Sequence, residues 1–419
     1  MATTSPASAR YLELDGLRGF AVMGILAMNI VTFAMPEMAY ISPEIFGGAE
    51  PGDLAAWLAA FVLFDGKMRG LFSLLFGASM MLTIARTEQS GADPAKVHYS
   101  RMGWLAVFGL AHFYFVWWGD ILFLYAVSGA IAFLFRDKEP RNLIILAVLI
   151  YIAYFLFMAA GMGSIYLLEA MARAPGAGEQ AILDFQDVMD SFGADPASIA
   201  REIALYQGSW PSIVAAKFEN DLFTPLLTLI NNIGETLALM LIGMAGCKSG
   251  FLLGEAKTAT YRKWAIWGIG LGGASFLAIG LYLMGTGFDL LDAVNAALAW
   301  TIPGRLLMTI GYAAALILLI RRFAASAFVL RVAAAGRAAF TNYLGTSIMM
   351  TTIFYGYGLG LFGEIGRWEL YLFVVGGWLT MLAWSKPWLD RYRFGPLEWL
   401  WRSLARGEKQ PMRRSGAAV

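Results

Sequence analysis

The chain has 419 residues, of which 59% are hydrophobic and 15% are charged, and its formal net charge is +1. A soluble domain carries about 25% charged residues, so this composition is typical of a polytopic membrane protein. The small net charge and the lack of a basic patch argue against nucleic acid as a partner. The single cysteine excludes an internal disulfide, and the two histidines disfavour a histidine-bound zinc ion, so no metal is expected.

Apolar runs predict about ten transmembrane helices, since each crossing needs roughly 20 apolar residues. The polar N-terminal stretch lacks the order of a cleaved signal peptide, so the first run is predicted to be a retained span. The predicted spans are 17–35, 66–85, 103–119, 120–135, 142–162, 223–246, 263–285, 300–320, 338–362 and 369–388. The expected fold is all-α, with an N-terminal five-helix half (1–162), an external amphipathic segment (163–222) and a C-terminal five-helix half with a cytoplasmic amphipathic tail (223–419).

Lysine and arginine cluster in alternate connecting segments, which predicts that these segments and both termini lie in the cytoplasm. The basic segments are 86–101, 136–141, 248–263, 321–337 and 389–414. The opposite segments are acidic, with Glu37 and Asp53 in the first and Asp289 in a later one. The last basic segment contains RFGPLEWLWRSL, which is predicted to be an interfacial anchor.

The long external segment has apolar residues at helical spacing, such as Ile182, Phe185 and Met189, and is therefore predicted to form amphipathic helices. Two interpretations stay open. The segment is either a connector with a polar face or a lid over an external substrate site. No internal repeat of the kind found in inverted-repeat transporters is recognised.

The first span begins LDGLRGFAVMGILAMN and contains three polar residues. Arg18 and Asn29 are eleven residues apart, which places them on nearly the same helix face, roughly 16 Å apart. Asp15 lies one turn from Arg18 and can pair with it. In the structural interpretation, Arg18 is a positive-inside anchor and Asn29 makes an interhelical hydrogen bond. The functional one is a site that runs inward from a cytoplasmic anion-binding end.

The second span begins FDGKMRGLFSLLFGAS, in which Asp65, Lys67 and Arg69 lie beside an apolar run. Ionisable groups inside a bilayer cost free energy, so these three predict either a functional site or a buried charge network at the external side.

The third span contains His112, the one histidine within a predicted span. Histidine suits proton transfer near neutral pH, although a hydrogen-bonded core histidine is the alternative. Asp120 follows eight residues later, about 12 Å along a continuous helix. We therefore expect Asp120 to pair with Lys67 or Arg69 at a tight external hairpin, and to orient His112 only if the helix breaks.

Two later stretches, PGRLLMTIGY and GRAAFTNYLGTSIMM, carry further polar groups. Arg305 is predicted at an external helix end, and Arg337 at a cytoplasmic end with Asn342 further inward. The many small residues suit close helix packing, which is the alternative to a functional role. In the functional interpretation, Arg337 meets the same anion as Arg18.

The sequence resembles the YeiB-like family of bacterial inner-membrane proteins over nearly its whole length. The resemblance is carried by LDGLRGFAVMGILAMN, KMRGLFSLLFGAS, GLAHFYFVWWGDILFLYA, GRAAFTNYL and GPLEWLWR. The C-terminal half looks like a domain of unknown function. The resemblance implies a multi-pass protein of the bacterial inner (plasma) membrane.

That family looks distantly similar to the transmembrane acyltransferases, some of which pass an acyl group from cytoplasmic coenzyme A to a sugar on the other side. In one branch the first span carries an arginine, ten residues and a histidine. The matching positions here are Arg18 and Asn29, so the histidine is missing and His112 is the remaining candidate base. The lysosomal glucosaminide acetyltransferase group looks closer, because it combines an Arg–Asn first span with a histidine in a later span.

These features predict a membrane-embedded acyltransferase that uses acyl-coenzyme A as co-substrate and a sugar or other polar molecule as acceptor. The predicted catalytic residues are His112, Asn29 and Asp120. The predicted donor-binding residues are Arg18, Arg101, Arg337 and Asn342, and the predicted acceptor-binding residues are Asp65, Lys67, Arg69 and Arg305. A transporter for a small solute is the alternative, a scaffold or sensor without turnover is a weaker one, and a homodimer is left open.

Overall fold

Residues 11–414 are described by a computed structural model, and this part of the chain is built from α-helices. In chain order they are α1 (Leu12–Ala34), α2 (Met38–Ile41), α3 (Pro51–Leu63), α4 (Lys67–Gln89), α5 (Pro94–Phe115), α6 (Leu122–Ala132), α7 (Pro140–Ala172), α8 (Glu179–Ser191), α9 (Pro196–Tyr206), α10 (Trp210–Asn220), α11 (Thr224–Lys248), α12 (Thr258–Gly285), α13 (Leu290–Asn295), α14 (Ile302–Arg322), α15 (Ala327–Arg337), α16 (Ala339–Phe354), α17 (Leu370–Arg391) and α18 (Pro396–Arg406). A π-helical turn (Ala296–Trp300) joins α13 to α14.

Six helical stretches of the described chain are long and apolar enough to cross a membrane. They are Leu12–Ala34, Pro51–Gln89, Pro140–Ala172, Thr224–Lys248, Thr258–Gly285 and Ile302–Arg322. The protein is therefore an all-α, multi-pass membrane protein, as the composition predicts. Each of the ten predicted spans coincides with a helix, but α5, α6, α16 and α17 are not among the six stretches, so the count of ten stays a prediction.

Helix α1 lies inside the bundle, with most of its residues buried. Its backbone touches that of α15. A Cβ atom on Gly19 would lie 2.0 Å from the carbonyl oxygen of Val332, and one on Gly336 would lie 1.9 Å from that of Asp15. Only glycine permits this approach, because any side chain would overlap the facing backbone. The glycines of the LDGLRG and GRAAF stretches thus fix the start of α1 against α15.

Helices α8, α9 and α10 lie at one end of the bundle, here called the α9 side, and confirm that the segment 163–222 is helical. The Tyr206 ring packs on the rings of Tyr355 and Phe362. In α10, the Lys217 amine donates to the carbonyl oxygen of Phe113 at 3.0 Å. Helix α8 has no buried residue. The segment is thus docked through α9 and α10.

Helix α18 lies at the opposite end, here called the α18 side, and is docked by hydrogen bonds. The Trp401 indole donates to the carbonyl oxygen of Arg101 at 2.9 Å. The Glu398 carboxylate accepts from the backbone N–H groups of Phe340 and Thr341 at 2.7 and 3.1 Å, where it satisfies the open N-terminus of α16. The amphipathic tail is therefore part of the bundle.

The structure departs from the predicted boundaries in three places. Helix α7 continues through residue 162 to Ala172, so the predicted division at 162 falls inside a helix. Helix α3 forms within a segment that was predicted to be an acidic connection. The prediction of a tight hairpin at residues 119 and 120 is wrong, because α5 ends at Phe115 and six residues, 116–121, lead to α6.

Candidate functional site

The central feature of the site is a contact between His112 and Asp120. Nδ1 of His112 lies 2.9 Å from Oδ1 of Asp120, and both side chains are almost fully buried. The other carboxylate oxygen of Asp120 accepts from the backbone N–H of Phe123 at 2.9 Å. The predicted pairing of Asp120 with Lys67 or Arg69 is therefore wrong. The contact forms because α5 ends three residues after His112 and the chain turns back.

The break in α5 is held by an aromatic side chain. The backbone N–H groups of Val116 and Trp117 both donate to the carbonyl oxygen of His112, which ends the helix. The Trp117 ring stacks on Phe33 of α1 with centroids 4.1 Å apart, and its N–H donates to the carbonyl oxygen of Thr32 at 3.4 Å. These contacts place the residues that follow α5 beside residues 32–33 of α1.

His112 has one ring nitrogen in use and one unused. Nε2 is buried and has no hydrogen-bond partner among residues 11–414, while the rings of Trp117 and Tyr343 lie 6.1 and 5.3 Å from the His112 ring. With Nδ1–H donating to Asp120, Nε2 carries the lone pair and can accept a proton. A carboxylate that orients a histidine in this way is the usual arrangement for a general base. The other histidine, His98, uses its Nε2 to contact the carbonyl oxygen of Gly129 at 3.0 Å.

Arg18 and Asn29 occupy the predicted positions on α1. The Arg18 guanidinium lies 3.0 Å from the Asp15 carboxylate and donates to Ser79 of α4 at 2.7 Å. The predicted Asp15–Arg18 pair is confirmed. Asn29 is half-buried, and its backbone carbonyl oxygen accepts a hydrogen bond from the Thr32 hydroxyl. No hydrogen bond between described residues joins Asn29 to His112.

Five arginines from four helices gather at the α18 side. The positive charges of Arg18, Arg402 and Arg406 act on Arg101, and those of Arg86 and Arg406 act on Arg402, where the Glu398 carboxylate offsets part of them. The Arg101 guanidinium lies 4.3 Å from the centre of the Trp401 ring. The one ion pair of this group within residues 11–414 is that of Arg18 with Asp15. Like charges so close together favour a bound anion.

The two other predicted donor-binding residues differ in what they contact. Arg337 is the last residue of α15, next to the glycine that touches α1. The Asn342 amide donates to the Ala335 carbonyl oxygen and the Ser385 hydroxyl, and its oxygen accepts from the Trp384 indole. Asn342 therefore ties three helices together, which agrees with the helix-packing interpretation of its stretch.

Arg69 and Arg305 meet on a carboxylate that is not among the predicted site residues. Glu235 of α11 lies 2.5 Å from Arg69 and 2.9 Å from Arg305. Arg69 also bonds Asn232, and Arg305 donates to the Thr301 hydroxyl at 2.8 Å. Of the three ionisable residues that the second span contributes, Arg69 alone joins this buried charge network among the described residues, and Glu235 is its centre. The signal for Glu235 is visible in the sequence, since NNIGETLALM places a carboxylate inside an apolar run.

Lys67 and Asp65 lie next to this network without joining it directly. Lys67 is fully buried, donates to the carbonyl oxygen of Phe61 at 2.5 Å and lies 3.0 Å from the centre of the Phe276 ring. Asp65 accepts from the Tyr40 hydroxyl. The four predicted acceptor-binding residues thus share one region on the α9 side, and Lys67, Arg69 and Arg305 each bond protein groups there.

Comparison with known proteins finds relatives that match this chain over nearly its full length. Residues 247–408 match the family described as "Protein of unknown function (DUF418)". The chain is 30% identical to the uncharacterized protein YeiB of Escherichia coli over 98% of each chain, and 29% identical to the uncharacterized protein YxaH of Bacillus subtilis over 95% of each. It is 24% identical to an uncharacterized 39.9 kDa protein of Bacillus acidopullulyticus over 95% of this chain and 94% of that one. No solved structure matches significantly. The chain is therefore a member of the YeiB-like family of multi-pass membrane proteins, with a DUF418 domain in its C-terminal part.

Proposed function

We propose that the protein is a membrane-embedded acyltransferase that passes an acyl group from acyl-coenzyme A to a sugar or another polar acceptor. The observation that carries this proposal is the buried His112–Asp120 pair with an unpartnered Nε2. A buried polar atom without a partner costs about 1–3 kcal/mol, so an open Nε2 on a histidine that a carboxylate already orients supports a reacting group at that nitrogen.

The spacing along α1 and α5 supports a coenzyme A donor. Both helices run from the α18 side to the α9 side, and Arg18–Asn29 and Arg101–His112 are both eleven residues apart, about 16 Å. The pantetheine arm has about 13 bonds between phosphorus and sulfur, or roughly 15 Å when extended. Phosphates bound among the arginines would therefore place the thioester at the depth of Asn29 and His112.

The chemistry assigns a role to each predicted catalytic residue. Nε2 of His112 takes the proton from the acceptor hydroxyl or amine as its oxygen or nitrogen attacks the thioester carbon. Asn29 donates a hydrogen bond to the developing oxyanion. The C–S bond then breaks, and the proton passes from the imidazolium to the coenzyme A thiolate. Asp120 holds the ring in the required tautomer, while Lys67 and Asp65 lie on the acceptor's side.

The same proposal includes an orientation in the bacterial inner membrane. The arginines at the α18 side face the cytoplasm, where acyl-coenzyme A is available, and both termini are cytoplasmic, in agreement with the lysine and arginine distribution. The α9 side then faces outward. Helix α10 covers the end of α5 near His112, which supports the lid interpretation of the 163–222 segment.

The test is coenzyme A release by the purified full-length protein in lipid nanodiscs, measured with a thiol reagent over a series of acyl-coenzyme A chain lengths and sugar acceptors. We expect His112→Ala to lower the rate by about 100-fold or more. His98→Gln is the matched control, because His98 is equally buried and already bonded, and it should change the rate little. Equal rates in folded His112→Ala and wild type would overturn the mechanism, as would the absence of turnover with every donor.

The buried charge network favours a second candidate, a transporter for a small solute. Arg69, Glu235 and Arg305 form a polar centre within helices long enough to cross a membrane, and such groups often mark a translocation path. Solute uptake into proteoliposomes that Glu235→Gln abolishes, without any coenzyme A release, would support the transporter over the acyltransferase.

A further inference from the structure

A cleft on the α9 side is separate from the His112 pair and from the arginines of the α18 side. Its cavity volume is about 40 Å³, which becomes about 510 Å³ when all the space between the lining atoms and the open solvent at its mouth is counted. Its walls come from α1, α2, α3, α12, α13, the π-helical turn, α17 and the segment before α17. The apolar lining residues include Met28, Ile41, Trp57, Phe61 and Leu283. His112 and Arg18 do not line this cleft.

The polar wall of the cleft contains a buried arginine whose charge is poorly balanced. Arg367 is 1% exposed, and its Nη2 donates to the carbonyl oxygens of Ala39 and Phe46 at 2.5 and 3.0 Å. Its Nε is buried and has no hydrogen-bond partner in the described part of the chain. No carboxylate lies within ion-pair distance of Arg367 in the part of the chain that the structure describes.

The nearby carboxylates are already engaged. Asp53 acts on Arg367 through space, but one of its oxygens accepts from the backbone N–H of Trp368 at 3.1 Å. Asp65 accepts from the Tyr40 hydroxyl on another wall of the cleft. A buried guanidinium held by carbonyl oxygens alone is costly, and an anion is the partner that its planar N–H groups bind best.

The backbone beside Arg367 is shaped to hold this side chain in place. Gly47 has a φ of +98°, and a Cβ atom there would lie 3.1 Å from the Arg367 Nη2 and 2.7 Å from the Met35 sulfur. The loop before α3 therefore closes directly over the guanidinium. On another side, Arg367 contributes to the wall of the cleft.

We propose that this cleft binds an amphiphile whose carboxylate or phosphate is held by Arg367 and whose apolar arm lies between α3 and α12. The aromatic and aliphatic walls suit an acyl chain, and Tyr40 and Tyr371 line the polar end. The inference concerns binding at a site that His112 does not line, although Asp65, which the acyl-transfer proposal places on the acceptor's side, lies on one of its walls.

The experiment measures binding of three twelve-carbon probes to the full-length protein in neutral detergent by native mass spectrometry. Dodecanoate carries a carboxylate, dodecyl phosphate a phosphate, and dodecyltrimethylammonium a positive charge. We expect the two anions to bind at least about tenfold more tightly than the cation. A preference for the carboxylate points to a free acyl anion and a preference for the phosphate to a lipid headgroup, and either supports the proposal.

Three variants separate the site from general effects on folding. Arg367→Gln should weaken anion binding by about tenfold or more, and Ala60→Leu, which fills the cleft without touching Arg367, should do the same. Arg201→Gln, at an exposed arginine of α9, is the matched control and should bind as wild type does. Equal binding of cation and anions, or wild-type anion binding by both Arg367→Gln and Ala60→Leu, would overturn the proposal.

Discussion

Replacing Glu235 by glutamine tests whether the charge network stabilises the bundle. The carboxylate is 2% exposed and faces two guanidiniums, of which Arg305 is 6% and Arg69 is 20% exposed. Removing one partner of a buried ion pair costs about 3–5 kcal/mol, because the remaining charge is left uncompensated. Arg69 keeps its bond to Asn232 and is more exposed, so most of the loss should come from Arg305.

The free energy of unfolding is measured by SDS titration in mixed micelles. We expect Glu235→Gln to lower it by about 3–5 kcal/mol, whereas Glu219→Gln, at an exposed position in α10, should change it by less than about 0.5 kcal/mol. Adding Arg305→Gln to Glu235→Gln should restore part of the loss, with a coupling energy above about 1 kcal/mol. A Glu235→Gln protein within about 1 kcal/mol of wild type, with no coupling, would refute the reasoning.

Three further predictions concern Asp120, Gly336 and Glu202. Asp120→Asn should lower the rate of coenzyme A release by about tenfold to a hundredfold, whereas Asp120→Glu should retain a higher rate. Equal rates in both variants would contradict an orienting role for Asp120. Gly336→Ala should destabilise the protein by about 1–3 kcal/mol, because the added Cβ would overlap the backbone of α1. Gly345→Ala, which has open space around it, should not destabilise the protein. Similar unfolding curves for the two variants would contradict the close packing of α1 against α15. Burial, with the charge of Glu37 adding to it, raises the pKa of Glu202 from 4.5 to about 7, so the folded state binds the proton more tightly than the unfolded one. Thermal stability should therefore fall as the pH rises from about 5 to about 8, with a smaller fall in Glu202→Gln than in wild type; equal falls would argue against this carboxyl.

The apolar runs were sufficient to predict the fold class and the positions of most helices, because a membrane helix is determined by local composition. Long-range pairing has no such local signal. Glu235 lies 166 residues from Arg69 and 70 from Arg305, and nothing in either stretch specifies the other. A charged residue in an apolar run can be recognised as unusual, but its partners depend on how the helices pack.

The wrong prediction for Asp120 has a physical cause of the same kind. The stretch HFYFVWW contains no glycine or proline, so the sequence predicts that α5 continues to residue 119. Tertiary contacts decide otherwise, since Trp117 leaves the helix to stack on Phe33 and to bond the Thr32 carbonyl oxygen. The chain then reverses early enough for Asp120 to reach His112.

The stretches that carry the family resemblance are largely stretches that contact one another. LDGLRG touches GRAAF through Gly19 and Gly336, and GRAAFTNYL is bound by GPLEWLWR through Glu398. Residues with such contacts account for a shared fold and say little about chemistry. Within these stretches, His112 alone keeps a buried polar side-chain atom without a partner. A histidine oriented by a carboxylate but left open at Nε2 is what the proposed acyl transfer requires, which is why the functional test belongs at this residue.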